Sequence, residues 1–321
     1  MTPTAVTLRE AADWLSTRED VAVLCHQSPD GDTLGSAAAL VRALHKCGKR
    51  AALFCADTIA PRFSFLFDGI EKQAFEPKTV VAVDVADEAL LGKLRAQYEG
   101  KIELCIDHHP SNRHYAGRYF VDAKAAATCE ILVEFLPMLG VPLDRAMAID
   151  LYTGLATDTG CFQYVNVTPK TLRTGAQLLE LGVPAPQINH AMFGTKSRAR
   201  LSLEPLAIEK IEYFHDGEIA VAPVTLEMRR QTNATDDDTD GVASIPRSIE
   251  GVRIGITLKE KAEDLVKVSL RCPPPYNASE ICAQFGGGGH PGAAGCALHC
   301  GLEEAKQKLV AAAAQYLEAH A

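Results

Sequence analysis

Residues 21–48 read VAVLC, HQSPDGD, TLGSAAALVRALHKCG: an apolar β-rich run, a loop with one histidine and two aspartates, and a helical stretch over 36–48. The same alternation continues downstream. AALFC (51–55), VVAVDV (80–85) and IELCID (102–107) read as strands, and 125–139 and 145–158 as helices. Strands apolar on both faces and separated by helices predict a parallel, doubly wound α/β sheet. In such a sheet ligands sit in the loop after a strand's carboxyl end. His26, Asp30 and Asp32 would thus be presented at one crevice, with Pro29 and Gly31 making the loop stiff and sharply turned. Taken alone, the loop also reads as an Asp-rich turn that caps the next helix.

Two further strands end in the same way. VVAVDV places Asp84, and IELCID places Asp107 followed by His108 and His109. A buried strand that terminates in charged residues needs something to neutralise them. Individually, Asp84 could cap a helix and His108 could be a satisfied core histidine. A fourth element, GLATDTG, puts Asp158 after an apolar helix, where a helix-end turn is the bland alternative. Asp30, Asp32, Asp84 and Asp158 carry four negative charges, and gathering them without cations would force some to be protonated. Two divalent ions would balance them. Mixed Asp and His ligands suit Mn²⁺ best, with Mg²⁺ or Co²⁺ also allowed, and paired ions are the usual apparatus for in-line displacement at phosphorus.

The 321-residue length favours two domains. The stretch from Gly194 to Pro205 mixes Lys196, Arg198 and Arg200 with turn formers, and fits a connection. We expect a first domain over 1–195, a linker over 196–204 and a smaller α+β domain over 205–321. The second domain has strand candidates at 207–213, 218–225, 252–258 and 265–271, a polar loop at 232–241 and a helix at 302–319. Its GGGGHPGAAG run (286–295) would let backbone N–H groups approach an anion, and His290 can add a donor. A flexible linker is the alternative. Arg271, at the end of LVKVSLR, can grip a phosphate bidentately or be a surface arginine at a strand end. Asp236, Asp237, Asp238 and Asp240 read as a solvated loop.

A net charge of −9 argues against a protein that coats long duplex DNA or lies on an anionic membrane. No run approaches a membrane span, and the amino terminus carries charges in place of a signal-peptide core, so a cytoplasmic location is expected. Ten scattered cysteines without a C-x-x-C pair read as small buried hydrophobes.

HxxPDxD (His26 to Asp32), Asp84, the Asp107-His108-His109 triplet and Asp158 resemble, in order, the four motifs of the DHH phosphoesterase superfamily. The glycine-rich run resembles the DHHA1 substrate-binding domain. Among the subfamilies, the compact two-domain length is similar to the bifunctional oligoribonuclease and pAp phosphatase type, the NrnA-type nanoRNases. The resemblance implies a DHH catalytic domain, a DHHA1 domain and an active-site cleft between them. It implies that His26, Asp30 and Asp84 hold one metal and that Asp32, Asp84, His108 and Asp158 hold the second. His109 would donate to a phosphoryl or leaving oxygen, Asp107 would orient the histidines, and Arg271, Gly287, Gly288 and His290 would bind substrate. Related enzymes commonly show an Arg after the DTG turn where this chain has Cys161, which bears on substrate preference.

The expected activity is metal-dependent hydrolysis of short RNA to mononucleotides and removal of the 3′-phosphate of pAp. A soluble phosphodiesterase for linear or cyclic dinucleotides shares every motif, and a nucleotide sensor without catalysis is the rival from another class. Short RNA and small phosphorylated nucleotides are the expected partners. The sequence admits a homodimer without indicating one, and leaves cleavage polarity and the cellular metal open.

Overall fold

A computed structural model describes residues 2–320 and divides into two compact units, one ending at Thr195 and one beginning at Lys196. In the first unit the chain runs β1 (Thr4–Ala5), α1 (Leu8–Ser16), β2 (Val21–Leu24), α2 (Gly31–Lys46), β3 (Ala51–Phe54), β4 (Thr79–Val83) and α3 (Arg95–Tyr98). It continues through β5 (Leu104–Asp107), β6 (Arg118–Val121), α4 (Thr128–Met138), α5 (Arg145–Asp158), α6 (Pro169–Glu180) and α7 (Ala185–Asn189). The six strands form one parallel sheet in the order β1-β6-β5-β4-β2-β3.

The alternation of side chains along each strand sorts the core into two layers. Val21, Val23, Val81, Val83, Leu104 and Ile106 pack under α1, α2, α4 and α5, whereas Ala22, Leu24, Val80, Ala82 and Cys105 pack against Leu91, Tyr98 and Ile102 on the opposite face. The chain leaves β2 for β3 on one side and then returns to β4 on the other. The order therefore reverses between β2 and β4, and the crevice at their carboxyl ends is a topological switch point.

Helices α2 and α5 meet there at backbone distance. A Cβ on Gly35 would lie 2.3 Å from the Asp150 carbonyl oxygen, and one on Gly154 would lie 2.9 Å from the Asp32 Cα. The glycines thus bring the start of α2, which carries Asp32, beside the end of α5, which carries Asp158. Arg42 on α2 and Asp150 on α5, both largely buried, join the same helices by a 2.7 Å ion pair.

The second unit runs α8 (Arg198–Glu209), β7 (Glu212–Phe214), β8 (Ile219–Val224), α9 (Leu226–Thr232), α10 (Asp236–Asp240), β9 (Ile254–Ala262) and β10 (Leu265–Arg271). It ends with α11 (Ala278–Ala283), β11 (Gly288–His290), β12 (Ala293–Leu298) and α12 (Leu302–Ala319). Its sheet has the order β11-β12-β10-β9-β8-β7, antiparallel except for the β8–β9 pair.

The structure differs from the sequence reading in two stretches. Residues 198–209, expected as linker and strand, form a helix. Ser197 caps it, its hydroxyl accepting from the Arg200 N–H, and two of the three charges that suggested a connection are paired, Lys196 and Arg200 with Glu204 at 2.6 and 2.7 Å. Leu203 and Ala207 are buried against β8 residues Ala222 and Val224, which holds the helix despite Pro205. The polar stretch at 232–241 contains the short helix α10, closed by a reciprocal cap between Thr235 and Asp238. Strands β1 and β6 lack the long apolar runs that marked the other strands of the sheet.

Candidate metal centre

The loop after β2 places three of the expected groups. Asp30 caps α2, its Oδ1 accepting from the backbone N–H groups of Asp32 (3.0 Å) and Thr33 (3.2 Å). Asp32 lies in the first turn and is fully buried. Its two oxygens accept from the backbone N–H groups of Cys129 (2.8 Å) and Thr128 (2.6 Å) at the start of α4. Asp84 follows β4 in a left-handed conformation, φ 59°, and accepts at Oδ1 from the Thr128 hydroxyl at 2.9 Å.

Three groups of potential ligand atoms, each with all atoms within 4.8 Å of one another, converge at the ends of β2, β4 and β5: His26 with Asp30 and Asp84, Asp32 with His108 and Asp158, and Asp84 with Asp107 and His109. Asp84 Oδ2 faces His26 Nε2 at 3.6 Å, and its Oδ1 faces His108 Nε2, also at 3.6 Å. One carboxylate therefore serves both sides of the cluster. His108 Nε2 stands 3.3 Å from Asp158 and 3.8 Å from Asp32, and His26 Nε2 stands 3.7 Å from Asp30.

These separations exceed an ordinary N–H···O bond. Ligands about 2.1 Å from a common cation stand about 3.0–3.6 Å apart at angles of about 90–120°, so these separations of 3.3–3.8 Å lie at, and slightly beyond, the spacing of atoms that share an ion. The donor set itself, carboxylates with imidazoles and no thiolate, fits divalent Mn²⁺ or Mg²⁺.

Asp107 has a different environment. Its Oδ1 accepts from the His109 ring Nδ1 at 2.7 Å and from the His108 backbone N–H at 2.8 Å, and its Oδ2 accepts from Asn112 at 2.6 Å. Its oxygens are occupied by donors, and its effect is to set the His109 ring.

The charges oppose one another. Burial and the neighbouring Asp84 charge push the Asp32 carboxyl up to about 7. Burial and the charges of Asp32, Asp30 and Asp84 raise Asp158 well above the usual carboxylate range. Burial also raises Asp84, but the facing His26 ring and the charges of His109 and His108 outweigh it and hold the carboxyl low. For His109 burial favours the neutral ring, and the Asp107 hydrogen bond with the Asp84 charge overcomes this, raising it to about 9. Cations in this crevice would relieve the carboxylate repulsion.

The sequence pattern of the DHH family N-terminal domain matches residues 20–155, and that of the DHHA1 domain matches residues 216–319. A Thermus thermophilus protein named bifunctional oligoribonuclease and PAP phosphatase NrnA is 33% identical over 304 residues, covering 92% of this chain and 89% of that protein. The chain belongs to the DHH family. Among solved structures, an exopolyphosphatase-related protein from Bacteroides fragilis superposes with a TM-score of 0.85 at 21% identity, covering 96% of each chain. The RecJ of Thermus thermophilus, solved in complex with Mn²⁺, shares the fold with a TM-score of 0.56 at 17% identity, over 96% of this chain and 55% of that one.

The DHHA1 unit holds the remaining expected residues on one sheet. Arg271 ends β10 opposite Ala293 of β12, and Ala293 is in turn opposite His290 of β11. The glycine run forms an edge hairpin in place of an open loop. A Cβ on Gly287 would lie 2.2 Å from the Gly295 carbonyl oxygen, and Gly289 has φ 142°, so side chains are excluded at both positions.

The sequence reading missed several residues of this DHH site. Thr128 and Cys129 hold Asp32 and Asp84, Asn112 holds Asp107, and Asn166 donates to the carbonyl oxygens of Asp158 (3.1 Å) and Ala126 (2.9 Å). Only Asn112, three residues after the His-His pair, had a nearby signal.

Proposed function

We propose that this DHH-family enzyme is a two-metal phosphoesterase that hydrolyses short RNA oligonucleotides to mononucleotides and removes the 3′-phosphate of pAp, with Mn²⁺ as its ion. The observation that carries the reading is Asp84, with one carboxylate oxygen toward each histidine-containing ligand group. His26, Asp30 and Asp84 would hold one ion, and Asp32, Asp84, His108 and Asp158 the other. Bound there, the ions would supply Lewis acidity and an activated water for in-line displacement at phosphorus.

The chain's own groups do the rest. Asp107 accepts from Nδ1 of His109, which leaves Nε2 as the ring atom that would donate to a phosphoryl or leaving oxygen. Thr128 and the backbone N–H groups at the start of α4 keep Asp84 and Asp32 oriented. Arg271 and His290, in line across three strands, bind a phosphate of the substrate. The printed activity of the Thermus thermophilus relative supports the substrate class, and the Mn²⁺ complex of RecJ supports the ion.

The test is turnover of pApA, pAp and cyclic di-AMP with saturating Mn²⁺. AMP should form from pApA and pAp faster than product forms from the cyclic dinucleotide. Turnover of cyclic di-AMP with pApA and pAp left intact would overturn the substrate assignment.

A further inference from the structure

Residues 125–130 lead into α4 and touch three of the expected ligands without supplying one. The Ala125 carbonyl oxygen accepts from His108 Nδ1 at 3.2 Å. A carbonyl can only accept, which leaves Nε2, facing Asp84, Asp32 and Asp158, as the ring atom for an ion. A few residues on, the N–H groups of Thr128 and Cys129 hold Asp32, and the Thr128 hydroxyl holds Asp84. Helix α4 has no side-chain cap at Ala127, so its first N–H groups are given to a carboxylate from α2.

Glu130 ties this segment down. It lies in the first turn of α4 and is 1% exposed. Its Oε2 accepts from the Ala126 N–H at 2.9 Å and from the Thr171 hydroxyl of α6 at 3.1 Å. Thr171 is itself buried and locked by its reciprocal cap with Thr168. The other carboxylate oxygen, Oε1, is buried with no hydrogen-bond partner, which is costly. Its neighbours along α4 are the buried Ile131, Leu132 and Val133, and an apolar side chain at 130 would avoid that cost. What the carboxylate provides is therefore the anchorage made by Oε2.

We propose that Glu130 is a positioning residue for the metal centre, acting on His108 through the peptide that joins Ala125 to Ala126. The inference rests on the phosphoesterase reading and deepens it. The Ala126 N–H that Glu130 holds and the Ala125 carbonyl that His108 meets belong to one planar peptide unit. Fixing one end sets the direction of the other, and a carboxylate on the N–H also strengthens the carbonyl as an acceptor. Thr171, Glu130, this peptide and His108 thus form a line of hydrogen bonds from α6 to the ligand atom. Without Glu130 the Ala126 N–H loses its acceptor inside the protein, the peptide can turn, and His108 loses the bond that orients its ring.

The test is calorimetric titration of Mn²⁺ into metal-free protein, beside kcat and KM for pApA, in wild type, Glu130→Gln, Glu130→Ala, Thr171→Val and Leu136→Ala. Glu130→Ala should weaken Mn²⁺ binding by about 10–100-fold and leave KM at saturating Mn²⁺ unchanged. Glu130→Gln keeps an acceptor oxygen and should bind as the wild type does. Thr171→Val removes one of the two donors to Oε2 and should fall between wild type and Glu130→Ala, and it decides the matter if Glu130→Ala does not fold. Leu136→Ala deletes a buried side chain farther along α4, so it should lower the melting temperature and leave Mn²⁺ binding unchanged. If the wild type binds Mn²⁺ and hydrolyses pApA, the role of Glu130 is wrong and the phosphoesterase reading stands in any of three cases: Glu130→Ala or Thr171→Val binds Mn²⁺ as tightly as wild type, Glu130→Gln binds no better than Glu130→Ala, or Leu136→Ala weakens binding equally. If the wild type binds Mn²⁺ without hydrolysing pApA, the substrate reading falls and the titrations still decide Glu130. If it binds no Mn²⁺, both fall.

Discussion

Asp84 has a left-handed backbone, φ 59°, that aspartate adopts more readily than most residues, and this turn directs its carboxylate from the end of β4 into the crevice. It is the one aspartate shared between the two proposed ions. Asp84→Asn should therefore abolish turnover, whereas Asp107→Asn, which loosens only the setting of His109, should weaken it by about 10–100-fold. Steady-state kinetics of the two variants at saturating Mn²⁺ would show the order, and wild-type activity in Asp84→Asn would contradict the shared-ligand role. Thr128→Val keeps the side-chain shape and removes the hydroxyl donated to Asp84. It should raise the Mn²⁺ concentration for half-maximal activity about tenfold, read from a metal titration. The aspartates and histidines were legible because they end apolar strands or an apolar helix, where a charge is conspicuous. Thr128 was not, because the carboxylates it holds, Asp32 and Asp84, are 96 and 44 residues away and only the folded chain joins them.

At the level of elements, the contact between α2 and α5 sets the spacing of Asp32 and Asp158. Gly35→Ala would place a methyl group 2.3 Å from the Asp150 carbonyl oxygen, so the helices must separate. The expected cost is about 1–3 kcal/mol of stability by denaturant titration, with a larger proportional loss of activity, since the two ligands move apart. Activity unchanged from wild type would show that this close approach does not position the site. Strands β2 to β5 and helices α2, α4 and α5 announced themselves through apolar runs and their alternation. Helix α8 did not, because Lys196, Arg198 and Arg200 among turn formers up to Pro205 read as a connection, and the pairing of Lys196 and Arg200 with Glu204 is seen only in the fold. β1 has only two residues, and β6, as long as β2, β3 and β5, is only half-buried, which left no apolar run to recognise.

For the whole molecule, the ligand cluster makes stability depend on metal. Burial and mutual repulsion disfavour the charged forms of Asp32 and Asp158, and an ion that binds only the folded chain stabilises it. At one hundred times its dissociation constant, Mn²⁺ should add about 2.7 kcal/mol per ion. The melting temperature should accordingly rise by several degrees and fall again with chelator, and a melting temperature indifferent to Mn²⁺ would count against ligands organised in advance. The central claim, that this DHH site performs metal-dependent phosphoester hydrolysis, is tested most directly by stripping the protein with chelator and titrating Mn²⁺ back while AMP release from pApA is followed. The account predicts no release from the stripped protein and a rate that saturates once two equivalents are bound. Equal rates with and without chelator would contradict it.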